Sequence, residues 1–367
     1  MAHQYQVQDR DFQEQRHIHA LLELTLSPAK AGKTVSYVGS LLPEQRREFL
    51  DIANSHHVVL RSLQPVFQQA TLAGNTELAD WAKTAIEKED SRISTALRYL
   101  HEICTEVESA GCPVTVMKSL DHWPDLGNDL DLYSSADIRS IRRVLSERFK
   151  ARSEARSWGD RLAGKWNFVI PGLPELVEFH LKRLGQTGEH RGLAQRFVTR
   201  RMEKEVGGMK FHVPAPEERI VVATLQRMYR HFYFRVCDIV NSAMLVESGS
   251  LDFFELRRAT EAAGIWEGAA TFLVIVSDYV RRYRGYNLNL PRLVYEAAPF
   301  GGEKILIRER FLRVPIMPEG AKLFTREITH VALRGDLPAT LRLNLLPPLA
   351  LAAAVAYKLT GSDKGVW

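Results

Sequence analysis

The sequence has few cysteines and no segment that would direct it out of the cytosol. Cys104, Cys112 and Cys237 are its only cysteines, and they lack the spacing of a metal-ligand motif, so we expect no disulfide framework. The first residues, MAHQYQVQDRDFQEQRHIHA, are polar and contain no apolar stretch of the secretory type. We therefore expect a cytoplasmic protein.

Long hydrophobic runs are also missing. The apolar run 349–357 is far shorter than the ~20 residues that a membrane helix requires, so we predict no transmembrane span. This run follows Pro347 and Pro348 and is typical of a buried core helix, with docking to a membrane or a partner as the alternative. There is no repeat and no low-complexity segment.

The composition is that of a globular protein with a mild positive charge. Hydrophobic residues make up 45% of the 367 residues and charged residues 25%, which is enough for a sizeable core. The net charge of +5 suits phosphate-bearing ligands but is too small to predict nucleic-acid binding. Arginines cluster in three groups that we interpret as solvated helix faces: Arg139, Arg142 and Arg143; Arg227, Arg230 and Arg235; Arg281, Arg282 and Arg284.

The spacing of apolar residues predicts helices, then a small sheet, then helices again, which is an α+β fold. Helical periodicity over 43–110 ends at Gly111. A helix capped by Ser134 or Ser135 lies within the β-rich region. The predicted strands are 113–117, 129–133, 166–170 and 176–180, and the later helices are 220–246, 252–263 and 266–283, with a further strand within 303–314.

These elements predict a chain of four parts. The parts are a helical N-terminal segment (1–110), an α/β core (111–185), a helical domain (186–300) and a C-terminal extension (301–367).

Carboxylates carry the clearest chemical signal. In Asp129-Leu130-Asp131-Leu132, alternate residues of a strand share a face, so both acids point one way and both leucines point to the core. Adjacent carboxylates repel unless a cation lies between them, and Mg²⁺ or Mn²⁺ accepts such oxygens. Glu178 alternates similarly on the last predicted strand of the core. If the two strands are neighbours, three acids converge and can hold metal ions that bridge phosphates.

Three further residues are predicted to lie beside these acids. Lys118 and Ser119 follow the first β-rich run, where backbone N–H groups and the lysine ammonium can meet a triphosphate. His180 shares the face of Glu178. A strand histidine of this kind is commonly satisfied by a hydrogen bond, and the functional alternative is that it orients Glu178 or the substrate.

The order of these motifs resembles the polymerase β-like nucleotidyltransferase superfamily, in which a strand and a small turn precede Asp-x-Asp on a strand and a later acid. More narrowly, residues 116–118 (Val-Met-Lys), 128–133 (Asn-Asp-Leu-Asp-Leu-Tyr) and 176–180 (Leu-Val-Glu-Phe-His) are similar to the bacterial uncharacterised nucleotidyltransferase family. That family reads Leu-Lys-Gly, Arg-x-x-x-Asp-x-Asp and Val-Glu-x-His. The helical stretch 214–239 resembles its second half, so the resemblance covers roughly residues 80–285.

The resemblance implies a nucleotidyltransferase core that transfers a nucleotidyl group from an NTP to a hydroxyl of an acceptor, with Mg²⁺ or Mn²⁺. A small-molecule or protein acceptor is expected in preference to nucleic acid. Two positions depart from the family: Ser119 replaces a glycine, and Gly127-Asn128 replace an arginine before Asp129. The implied roles are metal-binding and catalytic for Asp129, Asp131 and Glu178, and nucleotide-binding for Lys118, Ser119 and His180.

Two other functions stay open. The departures favour a binding module that kept the fold and lost transfer, and the basic charge favours a nucleic-acid-modifying enzyme, although no aromatic-and-basic motif accompanies it. Other patterns are weaker. Residues 31–34 (Ala-Gly-Lys-Thr) lack the first glycine of a P-loop, and the pairs His17/His19 and His56/His57 lack metal-site partners. Asp238 is expected to form an ion pair with Arg235, and a contact to substrate or phosphate is the alternative.

Overall fold

The structure, a computed structural model, describes residues 2–349, 351, 352 and 355. Its first part is helical, as predicted for 43–110. Asn75 caps the longest helix of this part, since its side chain accepts a hydrogen bond from the N–H of Leu78. The helices are α1 (Ala2–Leu26), α2 (Gly32–Ser40), α3 (Pro43–Ser55), α4 (Val59–Leu72) and α5 (Thr76–Ser109).

A five-stranded mixed sheet follows, which confirms the α+β fold. Its strand order is β1-β2-β5-β4-β3. Strands β2 and β5 run parallel, and the other pairs are antiparallel. The elements are β1 (Val114–Val116), β2 (Asp129–Ser134), α6 (Ile138–Phe149), β3 (Arg152–Ser153), α7 (Trp158–Ala163), β4 (Lys165–Val169) and β5 (Leu176–Leu181).

The helix that crosses from β2 begins later than predicted. Asp137 caps α6 by accepting a hydrogen bond from the N–H of Arg139. The predicted cap at Ser134 or Ser135 is wrong, because Ser134 still belongs to β2 and its hydroxyl donates to the carbonyl of Pro113.

The two faces of the sheet differ because its strands alternate polar and apolar residues. Leu130 on β2 and Phe179 on β5 are fully buried in a core that they share with α5 and α6. The first helices and the later helical region form a second core around residues such as Phe49 and Phe272. The polar face of the sheet faces that later region across a cleft. The division of the chain into four parts stays a prediction.

Helices return after the sheet, and the helices predicted over 252–263 and 266–283 are confirmed. The predicted strand within 303–314 is a hairpin that joins β8 in the order β8-β10-β9. The elements are α8 (Arg191–Thr199), β6 (Arg201–Val206), β7 (Met209–Pro214), α9 (Pro216–Thr224), β8 (Tyr233–Phe234), α10 (Val236–Glu247), α11 (Phe253–Ala262), α12 (Trp266–Arg284), α13 (Arg292–Ala297), β9 (Leu306–Arg308), β10 (Phe311–Arg313), α14 (Ala321–Leu333) and α15 (Leu337–Leu343).

The single helix predicted over 220–246 is wrong. After α9 the chain makes a π-helical turn over Leu225–Arg230, and Phe232 then adopts a left-handed backbone with φ of +53°. The next residues form β8, which pairs with β10 from far along the chain. A long-range pairing of this kind overrides local periodicity and leaves no sequence signal.

The remaining sequence expectations concern the P-loop-like segment, the cysteines and the apolar run 349–357. Gly32 and Lys33 of the P-loop-like segment lie in α2, and no strand lies between residues 2 and 31. Cys104, Cys112 and Cys237 are buried free thiols. Most of the apolar run 349–357 lies outside the described residues. Within the described ranges, none of the helices combines the length and the apolar character of a membrane-crossing segment.

Candidate active site

Asp131 and Glu178 lie side by side on parallel strands. They are register partners in the pairing of β2 with β5, so their side chains leave the same face of the sheet. Asp129 lies two residues earlier on that face. The structure thus brings the three predicted acids to one cleft, with a volume of about 220 Å³.

Two lysines neutralise the buried acids. The Nζ atom of Lys118 lies 2.7 Å from Oδ1 of Asp131. Lys165, on β4, contacts Oε2 of Glu178. Lys165 reaches the site because β4 pairs with β5 and places it opposite His180 in register. Lys165 was not predicted from the sequence, although its alternation with Trp166 is the signal that could have found it.

His180 supports Glu178 directly. Its Nε2 lies 2.5 Å from Oε1 of Glu178 and 3.8 Å from Oδ1 of Asp131. Burial raises the pKa of Glu178, but the neighbouring His180, Lys118 and Lys165 outweigh burial and hold that pKa well below its usual range. Both oxygens of Glu178 are therefore engaged and its charge is stabilised.

Asp129 differs from the other two acids. Its residue is exposed at the start of β2, and no cation pairs with its carboxylate among the described residues. Although the residue is exposed, the walls of the cleft partly remove its carboxyl group from water, and this desolvation, together with the nearby charges of Asp131 and Glu178, raises its pKa. Asp129 is thus the acid most open to an added cation.

Ser119 is engaged with the backbone of β2. Its hydroxyl donates to the carbonyl of Asp129 at 3.1 Å and accepts from the N–H of Asp131 at 2.9 Å, and only 1% of the residue is exposed. The side chain thereby fixes the backbone that carries both aspartates. A contact between Ser119 and phosphate stays a prediction.

Arg92 on α5 ties together the starts of the two acid-bearing strands. Its guanidinium donates to the carbonyls of Leu126, at 3.0 Å, and Gly127, at 3.3 Å, just before β2. It also contacts the buried carboxylate of Glu175, which precedes β5. A side chain of α5 thus links the two segments that lead into the acid-bearing strands.

The donor set suits a hard divalent cation. Asp131, Glu178 and His180 each offer a ligand atom, all within 4.8 Å of one another. Among the described residues, the Asp129 carboxylate and Oδ2 of Asp131 accept no ion pair or hydrogen bond, whereas both oxygens of Glu178 are taken. The open carboxylate of Asp129 and Oδ2 of Asp131 could take up a cation, whereas Glu178 could join it only if Lys165 moved away from Oε2.

The helical region completes the lining of the cleft with residues that were not predicted to lie near the acids. Arg227, predicted on a solvated face, is only 4% exposed. It pairs with Asp238 at 2.7 Å, so the predicted ion pair of Asp238 with Arg235 is wrong and Asp238 caps the Arg235 backbone N–H instead. His57, expected as a surface or core histidine, also lines the cleft. No sequence signal links these distant residues to the acids.

A second group of acids with a histidine lies away from this cleft. The ligand-type atoms of Glu189, His190 and Glu327 also lie within 4.8 Å of one another. Glu189 accepts hydrogen bonds from the backbone of Gln186 and Thr187, and His190 pairs with Glu327 at 3.1 Å. The ion pair joins α14 to the segment before α8.

No protein-family model matches this chain, and no curated protein matches it significantly. Among solved structures, it is similar to an antigenic nucleotidyltransferase-like protein from Paracoccidioides brasiliensis, with 15% identity and a TM-score of 0.31. The match covers 45% of this chain and 85% of that one. Similarity at this level assigns neither a family nor an activity.

Proposed function

We propose that this chain is a divalent-metal-dependent nucleotidyltransferase that moves a nucleotidyl group from an NTP to a hydroxyl of an acceptor. The observation that carries the proposal is the pairing of Asp131 with Glu178 in register, with Asp129 beside them in one open cleft. Lys118 lies at the same place and can meet phosphate oxygens. Acids for a cation and a cation for phosphates are the components that phosphoryl-type transfer requires.

The proposed reaction forms a bond between the acceptor hydroxyl oxygen and the α-phosphorus of the NTP. The bond from that phosphorus to the bridging oxygen of the β-phosphate breaks, and pyrophosphate leaves. A bound Mg²⁺ or Mn²⁺ would neutralise phosphate charge and lower the pKa of the hydroxyl. Asp129 and Asp131 would hold the cation, and Glu178, after Lys165 releases its Oε2, would complete the site and take up the hydroxyl proton.

A binding module without transfer activity is the second candidate. The ammonium groups of Lys118 and Lys165 already satisfy Asp131 and Glu178, so the acids do not need a metal for stability. The hydroxyl of Ser119 is also committed to the backbone. These contacts favour a site that binds an anion through its lysines and performs no chemistry.

Label transfer distinguishes the two candidates. The full chain is incubated with Mg²⁺, a cell extract and each α-labelled NTP, and acceptors are detected by mass spectrometry. Asp129→Ala should abolish transfer, and Glu178→Gln should reduce the rate more than it weakens NTP binding. Glu203→Gln, at an exposed acid paired with Lys210, is the matched control. NTP binding without transfer in the wild type would select the binding module, and no NTP binding at millimolar concentration would rule out the enzyme.

A further inference from the structure

Beyond the acids, the cleft carries more positive charge than its own carboxylates balance. Arg219 pairs with Asp121 at 2.6 Å, as Arg227 does with Asp238. Two other arginines of the lining, Arg230 and Arg235, are half-buried. Neither guanidinium forms an ion pair with any carboxylate in the part of the chain that the structure describes. This wall of the cleft is therefore suited to an anion.

Arg235 is held by a histidine instead of an acid. Its Nη1 donates to Nε2 of His57 at 2.7 Å. Burial and the charges of His122 and Arg235 lower the pKa of His57 well below its usual range, so the imidazole is neutral and carries its proton on Nδ1. That Nδ1 has no hydrogen-bond partner among the described residues, although His57 is only 5% exposed. The Nδ1–H of His57 is thus an unsatisfied buried donor next to the guanidinium of Arg235.

Unusual backbone geometry places these groups. In the π-helical turn over Leu225–Arg230, the N–H of His231 donates to the carbonyl of Gln226 at 2.8 Å. His57 and Phe232 both have φ of +53°, which residues other than glycine rarely adopt. π-helical turns and left-handed residues are both enriched at functional sites. Their grouping around one wall indicates that this wall has a function of its own.

The part of the cleft that carries Arg230 and Arg235, which we call the basic wall, borders the carboxylates. A Cβ on Gly127 would lie 3.8 Å from Nε2 of His57 and 3.8 Å from the carbonyl oxygen of Asp129. Arg235 therefore reaches, through His57, the turn that leads into β2. Arg230 lines both the cleft and the small adjoining pocket that His180 also lines. An extended anion could contact the acids' cation at one end and the arginines at the other.

We propose that Arg230 and Arg235 form a phosphoryl-binding subsite beside the carboxylates. The subsite deepens the proposed function and rests on it, because the phosphoryl group belongs to one of the two substrates. A guanidinium presents a planar fork of N–H donors that matches phosphate oxygens. The same chemistry is offered by the triphosphate of the nucleotide and by a phosphate carried on the acceptor.

Calorimetry with the full chain tests the subsite. The first probe is inorganic tripolyphosphate without a divalent cation, which removes any dependence on the metal. Arg230→Ala and Arg235→Ala should each weaken its binding by at least about tenfold, the loss expected for a charge-assisted contact. Arg281→Ala, at an exposed arginine paired with Asp278, is the control and should leave binding unchanged. Arg230→Gln and Arg235→Gln provide the same readout if an alanine variant fails to fold.

Two further measurements identify the source of the phosphate. If the nucleotide fills the subsite, the arginine variants should lose NTP affinity. If the acceptor fills it, NTP affinity should persist, and binding of glycerol phosphate beside a saturating NTP should be lost. Unchanged tripolyphosphate affinity in both variants, or no binding by the wild type at millimolar concentration, would overturn the subsite. Arginine-dependent binding without label transfer would support the subsite and overturn the transfer activity, so the two failures are distinguishable.

Discussion

Lys165 and Glu178 form a direct ammonium–carboxylate contact inside the cleft, on neighbouring strands of one sheet. The lysine side chain is 15% exposed and that of the glutamate 8%. A lysine in this place competes with any cation for the same oxygen. It also keeps three neighbouring acids from repelling one another when no cation is bound.

Removing this lysine should strengthen metal binding. Lys165→Met leaves Glu178 free for a cation, and Mn²⁺ affinity should rise by about tenfold, the low end of the ~1–4 kcal/mol that two unit charges exchange at contact distance. Titration calorimetry with Mn²⁺ measures the change. Lys210→Met, at an exposed ion pair on the β6–β7 hairpin, should have no effect. Weaker Mn²⁺ binding in Lys165→Met would show that the lysine supports the site instead of competing for it.

Asp131→Asn should remove the stabilisation that a divalent cation confers on the fold. A ligand at about 100 times its Kd stabilises the folded state by about 2.7 kcal/mol, so Mg²⁺ or Mn²⁺ should raise the wild-type Tm. The variant keeps its shape but loses a ligand charge. Asp137→Asn is the control, since asparagine caps α6 as well as aspartate does. An equal Tm response in Asp131→Asn and the wild type would place the cation elsewhere.

Arg92→Met should lower the free energy of unfolding by about 3–5 kcal/mol, because Glu175 would be left as a buried, unpaired charge. The double variant Arg92→Met/Glu175→Gln should recover part of this loss. Urea unfolding of the two single variants and the double variant measures the coupling. Arg47→Met, at an exposed pair, should change stability by less than about 1 kcal/mol. A double variant no more stable than Arg92→Met would contradict the pairing.

Stability should fall as the pH rises from about 4.5 through about 7. Burial raises the pKa of Glu327 from 4.5 to about 7. Burial alone would lower the pKa of His190, but Glu327 and Glu189 raise it above 6.5. Both groups hold protons more tightly in the folded state, so their contribution is complete below about pH 4.5 and is lost as the pH rises through about 7.

The variant Glu327→Gln should therefore flatten this decline by about 1–3 kcal/mol between pH 5 and 8 in urea unfolding. Glu319→Gln, at a neighbouring acid paired with Lys322, is the control. Parallel pH profiles for Glu327→Gln and the wild type would show that the group does not titrate in this range.

The acids could be grouped from the sequence because strand alternation is a local rule. Once Asp129, Asp131 and Glu178 are assigned to strands, their shared face follows, and only the adjacency of β2 and β5 has to be supplied by the fold. Lys165 obeys the same rule, but a lysine at a strand end is usually solvated, so its residue type alone did not point to the site. The residue type of Arg92 likewise did not point to the site, because this arginine acts from a helix behind the sheet.

The basic wall could not be predicted because its parts are distant in the chain. His57 and Arg235 meet across 178 positions of sequence. The π-helical turn that precedes β8 has the composition of an ordinary helix, which is why a continuous helix over 220–246 was expected. Only the tertiary contacts of β8 reveal the break.

The strand that carries Tyr233 into the cleft lining has its partner near the end of the described chain. Arg313 of β10 is paired with Tyr233 of β8, and the N–H of Val314 donates to the carbonyl of Phe232 at 2.8 Å. During synthesis, the acids and their sheet can assemble well before this partner has been translated. During synthesis the cleft can therefore be completed only after β10 has been translated, and a nascent chain that stops short of β10 lacks the strand partner of this part of the cleft wall.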